Sequence, residues 1–212
     1  MMRVLFRLLL CCLAAETGTC GDAVTSSGSS EQQLASIQLT DVGGVVHKPF
    51  SNSATKAVAL VFVSADCPIA NSFQPVLQKL HVQYQQKGVP CFMVYCLPGI
   101  SADVVNQHRT DFEINMPGII DSDQRIGRLT KARVTPEAIV INRQGEICYR
   151  GLINNLYAGY GKKRPQATVH YLQDAFDSLV AGTSIETKET RPLGCFIRYA
   201  APVNPSDLKP VK

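Results

Sequence analysis

The sequence predicts a three-layer α/β/α sandwich built on a central mixed β-sheet. Three observations predict it. Strand-like and helix-like stretches alternate through the middle of the chain. The run Val58 to Ser64 is almost wholly apolar and β-branched, as a strand covered on both faces must be. A glycine turn, Arg143-Gln144-Gly145, joins two further strand-like runs before a last helix. Parallel βαβ units followed by an antiparallel hairpin give a mixed sheet with helices on both sides.

The chain has 212 residues, 45% of them hydrophobic, enough for one well-buried domain with extensions. Residues 1–23 read as an export signal: Arg3 supplies a positive start, Val4 to Ala15 is apolar apart from Arg7, and small residues follow. The residues before Cys20 lack the usual aliphatic-then-small pattern of lipid attachment. Residues 24–33, rich in Ser, Gly and Gln, read as a flexible linker. The domain then spans 34–183 and a proline-bearing tail 184–212, expected to wrap over the surface.

Within the domain, Ile37 and Leu39 alternate with polar neighbours as in a short strand, and Gly43-Gly44 marks a turn. After the Val58–Ser64 strand the period changes. Ile69, Phe73, Val76, Leu77, Leu80 and Tyr84 recur at three- and four-residue spacing, predicting an amphipathic helix to Lys87-Gly88 that Pro75 should bend. Val89 to Leu97 is a second buried strand. Ser101 is placed to cap a helix from Ala102 to Phe112. Ile119-Ile120 is a short extended piece, and Asp121-Ser122-Asp123 should cap a helix through Arg125 to Lys131. Strands Ala138 to Asn142 and Glu146 to Ile153 form the hairpin, and Thr168 to Val180 the last helix, with Val169, Leu172, Phe176 and Leu179 inward and Gly182 past its end.

Charge excludes some partners. The net charge is +4, and the closest basic cluster, Lys162-Lys163-Arg164, reads as a solvated loop, so no nucleic acid is expected. No apolar stretch reaches the roughly 20 residues of a membrane-spanning helix.

Cys67 is the most informative residue. It stands where the Val58–Ser64 strand stops and a helix starts with Pro68. There, unpaired backbone N–H groups favour a thiolate and lower the thiol pKa. The reading requires the sulfur to be accessible and close to those amides; a sulfur sealed in the core would only pack. If the signal is removed, Cys67, Cys91, Cys96, Cys148 and Cys195 remain, an odd and widely spaced set that suits redox chemistry better than disulfide stapling. Cys91 and Cys96, five apart on one strand, should point to opposite faces and pack, as should Cys148.

Strand–Cys-Pro–helix, then Val134-Thr135-Pro136-Glu137 before a strand, then the glycine hairpin, resembles the thioredoxin-like superfamily. The likeness is nearest to its redoxin branch, which includes peroxiredoxins of the alkyl hydroperoxide reductase and thiol-specific antioxidant type. Asp66-Cys67-Pro68-Ile69-Ala70-Asn71 and Gly194-Cys195-Phe196-Ile197 look like an exported bacterial redoxin-domain group, over about residues 34–198. The resemblance implies a thioredoxin-like fold, a thiol-based oxidoreductase activity without cofactor, and a cis Thr135–Pro136 bond beside the reactive sulfur, with Pro68, Thr135 and Pro136 binding substrate. The departures are specific. Ala70 replaces the second cysteine of thioredoxins. Ser64 matches the peroxiredoxin hydroxyl, but Leu60 stands where their proline should be. Asn71 replaces the second cysteine of copper-delivering relatives.

Cys67 is thus expected to attack a peroxide or protein disulfide, with Cys195, in a mobile tail, as resolving thiol and a thiol protein as reductant. A packed tail cysteine or a metal ligand is the alternative for Cys195. Asp66 could accept a proton, oppose the thiolate or cap the helix; Arg133 could stabilise the thiolate or a peroxide oxygen. The histidines at 47, 81, 108 and 170 show no ligand spacing and read as surface or boundary residues, and the amides of Asn154 and Asn155, with Tyr157, speak against a hard-cation site. A copper-handling module using Cys67, Cys195 and one histidine, and a redox-inert interaction domain, are the competing functions.

Overall fold

The computed structural model describes residues 27–201, with side chains from residue 30. Residues 1–23, expected to be an export signal, with Cys11, Cys12 and Cys20, and the end of the tail lie outside the described residues. In chain order the elements are α1 (Ser27–Ala35), β1 (Leu39–Thr40), β2 (Val46–His47), a 3-10 turn (Pro49–Ser51), β3 (Ala57–Val63), α2 (Pro68–Ser72), α3 (Gln74–Gln85), β4 (Cys91–Tyr95), α4 (Ala102–Asp111) and β5 (Gly118–Ile120). They continue with α5 (Arg125–Thr130), β6 (Val134–Thr135), β7 (Glu137–Asn142), β8 (Ile147–Gly151), β9 (Tyr157–Gly159), β10 (Lys162–Lys163), α6 (Tyr171–Ala181) and β11 (Cys195–Phe196).

The central sheet has the order β5-β4-β3-β7-β8. β3–β4 and β4–β5 are parallel, whereas β3–β7 and β7–β8 are antiparallel. This is the mixed sheet that the sequence pattern predicts. All seven residues of β3 are buried because both faces are covered. Ala57, Ala59, Val61 and Val63 pack with Leu77, Leu80 and Tyr84 of α3, Val105 of α4 and Phe176 of α6. Val58, Leu60 and Phe62 face Leu34 of α1 and Ile126 and Leu129 of α5. Cys91 joins the first cluster and Cys96 the second, so they do point to opposite faces.

Several local expectations hold. The Ser101 hydroxyl accepts the Val104 N–H at 3.3 Å and caps α4. The Asp121 carboxylate accepts the Ile126 and Gly127 N–H groups at the start of α5. Gly145 has φ +85° in the β7–β8 turn. The last helix begins three residues later than expected, at Tyr171, but buries Leu172 and Phe176 as predicted.

Other expectations need correction. The helix from Ile69 does not merely bend but breaks, into α2 and α3, at Phe73. Pro75 has no N–H to offer Asn71, and its ring would crowd that carbonyl, so the chain restarts the helix with proline in the first turn. Part of the linker expected over 24–33 is helical, as α1. Its weak helix propensity is overridden by packing, since Leu34 is buried in the second cluster. His81 and His108 are buried, not surface or boundary residues.

The tail also differs from the mobile segment expected. Arg150 N–H donates to Lys188 O and Thr190 N–H to Arg150 O, each at 3.0 Å, fastening the tail to β8. Beyond Cys195, Ile197 N–H donates to Arg133 O, Tyr199 Oη to Ala132 O, and Ala200 N–H to Gln124 Oε1. Between these anchors β11 pairs antiparallel with β6, with Cys195 opposite Thr135. The tail is a strap tied on both sides of Cys195.

Among the described residues no helix is long and apolar enough to cross a membrane.

Candidate functional site

β3 delivers the chain to the edge of the site, and Cys67 caps α2 with extended backbone (φ −90°, ψ 107°), its sulfur 3.5 Å from the Ala70 N–H. Pro68 follows as first helical residue, exposed, where its missing N–H costs nothing. Because α2 is only five residues long, this local amide, and not a long helix dipole, is the electrostatic partner.

The opposite wall is the turn between β6 and β7. Thr135–Pro136 is cis, and the Thr135 carbonyl oxygen lies 3.0 Å from Cys67 Sγ. Glu137, fully buried, holds this turn. Its Oε2 accepts the Arg133 N–H at 2.6 Å and the Val134 N–H at 3.3 Å, and its Oε1 accepts Arg133 Nε and Nη2 at 3.2 and 3.0 Å. The strap closes the site: Cys195 Sγ lies 2.9 Å from Cys67 Sγ, and both cysteines are free.

The sequence reading required an accessible Cys67. Cys67 is instead 1% exposed, whereas Cys195 is exposed. It lies beneath the strap, against the very sulfur expected to partner it.

Electrostatics distinguish the two sulfurs. Burial alone would raise the Cys67 thiol. Hydrogen bonds from the Cys195 thiol, the Ala70 amide, the Thr135 side chain and the Cys195 backbone outweigh it and hold Cys67 below the ordinary thiol value. Burial, that same shared bond and the neighbouring charge push Cys195 up to about 11. The two directions make Cys67 the more acidic of the two thiols. Burial raises the other cysteines, Cys91 and Cys96 to about 12 and Cys148 to about 11, and they remain inert thiols.

Beneath the Cys67 loop runs a polar chain that sequence reasoning missed. Ala65 C=O can only accept, so Asn71 presents Nδ2 to it at 2.8 Å. That leaves Asn71 Oδ1 to accept His108 Nε2–H at 3.0 Å, and a neutral His108 then accepts the Tyr95 hydroxyl at Nδ1, 2.8 Å away. Burial lowers the His108 pKa and keeps the ring neutral, against the opposing charges of Asp111 and Asp66. A histidine one strand–helix unit downstream of a Cys-Pro turn carries no local signal of this role.

Of the residues singled out in the sequence, Cys67, Cys195, Thr135 and Pro136 converge. Ser64 joins through its backbone, its carbonyl accepting the Cys67 N–H at 3.1 Å. Asp66 and Pro68 lie exposed on the rim. The Arg133 guanidinium bonds to carboxylates, Glu137 and, at 3.3 Å, Glu189. Asn154 and Asn155 cap backbone N–H groups of Leu156, Thr168 and Val169, and Tyr157 Oη donates to Ser72 Oγ. Among the described residues no three His, Cys, Asp or Glu side chains group as a metal site, so the copper alternative has no histidine beside the sulfur pair.

Solved structures share this architecture. A hypothetical protein from Sinorhizobium meliloti 1021 superposes with a TM-score of 0.68 at 21% identity, over 78% of this chain and 91% of that one. An uncharacterized conserved protein from Geobacillus kaustophilus gives a TM-score of 0.65 at 22% identity, over 79% and 90%. These likenesses establish the fold. Its sheet order, with the cis turn set against the Cys67 helix start, is the thioredoxin-like arrangement that the sequence led us to expect. A thioredoxin-like protein from Aeropyrum pernix is more distant, with a TM-score of 0.48 at 15% identity over 74% and 97%. No protein-family model matches the chain, and no curated protein matches it in sequence.

Proposed function

We propose that this thioredoxin-like chain is a thiol–disulfide oxidoreductase that cycles between a Cys67/Cys195 dithiol and the disulfide joining them. The observation that carries the reading is the 2.9 Å contact between a covered sulfur and an exposed one. A disulfide needs about 2.05 Å, so closing the bond asks for under about 1 Å of approach.

In the oxidised protein a partner thiolate attacks Cys195 Sγ. A bond forms between the partner and Cys195, the Cys67–Cys195 bond breaks, and Cys67 leaves as a thiolate. Its depressed pKa makes it the better leaving group. The partner's second thiolate then attacks the partner sulfur of the mixed disulfide, and Cys195 leaves and takes a proton. The partner ends as a disulfide and this chain as the dithiol. Two electrons then pass from the dithiol to a substrate disulfide, returning the Cys67–Cys195 bond.

Peroxide is the second electron acceptor, favoured by a resolving thiol already in contact with Cys67. The thiolate attacks one peroxide oxygen, the other leaves and is protonated, and Cys67 becomes a sulfenic acid. Cys195 attacks that sulfur, water is released, and the disulfide forms. Both routes use a thiol protein as reductant and no cofactor. The export signal read at 1–23 goes with this function, since a disulfide persists outside the reducing cytosol.

The test is peptide mapping of the protein after oxidation by glutathione disulfide. A Cys67–Cys195 linkage is expected; oxidised Cys67 beside a free Cys195 would rule the pairing out. Rates of insulin-disulfide reduction and peroxide consumption then assign the acceptor. Rates unchanged in Cys67→Ser would leave only a redox-inert domain.

A further inference from the structure

The exposed sulfur lies in one of two stretches of chain that carry basic but no acidic residues. No Asp or Glu occurs between Glu146 and Asp174, or between Glu189 and Ala201, whereas these stretches hold Arg150, Lys162, Lys163, Arg164, Arg191 and Arg198. All but Arg150 are exposed. Thr190 already ties the two stretches together, taking part in bonds with Arg150 and Leu152, and Tyr160, at the tip of the β9–β10 hairpin, donates its hydroxyl to Gly194 O at 2.7 Å, bringing the hairpin next to Cys195. Lys162 and Lys163 follow in β10. Two residues span at most about 7 Å, short against the roughly 10 Å screening length at 0.1 M salt. Arg191 precedes and Arg198 follows Cys195 on the strap, both exposed. Among the described acids, Asp66 is exposed on the Cys67 loop, and Glu189, on the strap before Cys195, pairs with Arg133.

Two aromatic rings stand within this basic rim without a core to fill. Phe196, adjacent to Cys195, is 78% exposed and Tyr160 is 61% exposed, the largest values among the exposed large hydrophobics with Val82. Exposed aromatic rings beside a reactive atom, on segments that also carry exposed cations, have the composition of a docking patch.

We infer that the partner exchanging with Cys195 is an acidic, cysteine-bearing polypeptide, drawn by the Lys162–Lys163 hairpin and the strap arginines and seated on Tyr160 and Phe196. The inference rests on Cys195 being the contact sulfur, as proposed above. The basic rim acts on approach: it concentrates anionic segments, and the attacking thiolate itself, at the sulfur. An anionic membrane would meet the same charges, but the reactive sulfur at the centre of the patch favours a thiol-bearing chain.

The experiment measures the rate at which short single-cysteine peptides open the Cys67–Cys195 disulfide. The peptides carry aspartates, lysines or only serines, at about 10 mM and about 1 M salt, where screening lengths are about 30 and 3 Å. The acidic peptide should outpace the basic one by about tenfold or more at low salt, with the gap closing at high salt. In the double variant K162E/K163E the acidic-to-basic ratio should fall toward unity or invert. A ratio is immune to a general loss of fold or reactivity. Equal rates in the native protein, or a ratio unmoved by the double variant, overturn the inference. So does charge-dependent retention on phosphatidylserine vesicles without any discrimination between peptides. The underlying reading is checked apart from this with 2-mercaptoethanol: if no Cys67–Cys195 disulfide exists for that uncharged thiol to open, the redox pair itself fails.

Discussion

Gly194 packs directly on the Thr135 carbonyl, so that a Cβ at 194 would lie 2.1 Å from that oxygen. Such a contact is backbone against backbone and cannot be relieved by a rotamer change. We expect Gly194→Ala to lift β11 from β6 and carry Cys195 away from Cys67 while leaving both sulfurs in the chain. Alkylation of Cys67 should then become markedly faster in the reduced protein, and the yield of the Cys67–Cys195 disulfide should drop. Native-like alkylation kinetics in this variant would show that the strap does not cover the sulfur.

Cys195 has two separable effects on Cys67, as a disulfide partner and as a hydrogen-bond donor. Cys195→Ser removes the first and keeps a donor; Cys195→Ala removes both. The pKa of Cys67, read from thiolate absorbance against pH, should stay depressed in the serine variant and rise in the alanine variant, because the Cys195 side chain is the largest of the contributions lowering it. Equal values in the two variants would assign the depression to the Ala70 amide, Thr135 and the Cys195 backbone.

How much of this was legible beforehand depends on the range of each interaction. β3 was readable because a seven-residue apolar run has one burial solution, and the Ser101 and Asp121 caps because a cap and its helix are neighbours in sequence. Cys67 stood out for the same reason: strand end, proline and helix start are contiguous. The cover over Cys67 was not readable, since Cys67 and Cys195 are 128 residues apart and their approach follows from β6–β11 pairing, two residues long and without a periodic signal. Glu137 and His108 were missed on similar grounds. A carboxylate in an apolar strand becomes sensible only once the cis turn aims two backbone N–H groups at it, and a helical histidine only once Asn71 and Tyr95 flank it.

Glu137 anchors the turn that forms the wall of the site. Glu137→Ala would strand the Arg133 and Val134 N–H groups in a buried place and leave the Arg133 guanidinium with Glu189 alone. Hydrogen bonds to charged groups contribute about 1.5–3 kcal/mol, and unsatisfied buried donors cost a similar amount, so we expect a loss of roughly 2–4 kcal/mol by urea unfolding. Glu137→Gln should lose less, since it keeps one acceptor oxygen for the backbone. In both, the Cys67 pKa should rise as Thr135 loosens. A stability change with no effect on Cys67 would confine Glu137 to the fold.

The thiols also set an alkaline limit on the reduced protein. Cys91, Cys96, Cys148 and Cys195 all have folded values raised above the ordinary 9.0, to about 12, 12, 11 and 11. For each, the folded state holds its proton where the unfolded chain has lost it, so stability is full below about pH 9 and falls as pH rises toward 11 to 12. Cys67 runs the other way. Its depressed value means that its contribution is present above the ordinary thiol pKa and is lost as pH falls through the folded one. Four raised groups oppose one lowered group, so the urea midpoint of the reduced protein should decline steadily above pH 9. Cys195→Ser should flatten that decline by removing one of the four, an effect read from midpoints on either side of pH 9. In the disulfide form neither Cys67 nor Cys195 titrates, and the decline should keep the parts due to Cys91, Cys96 and Cys148 and, above about pH 10, to Tyr84, Tyr95, Tyr149 and Tyr199, which burial also raises. An oxidised protein as alkali-sensitive as the reduced one would show that the Cys67/Cys195 pair takes no part in it.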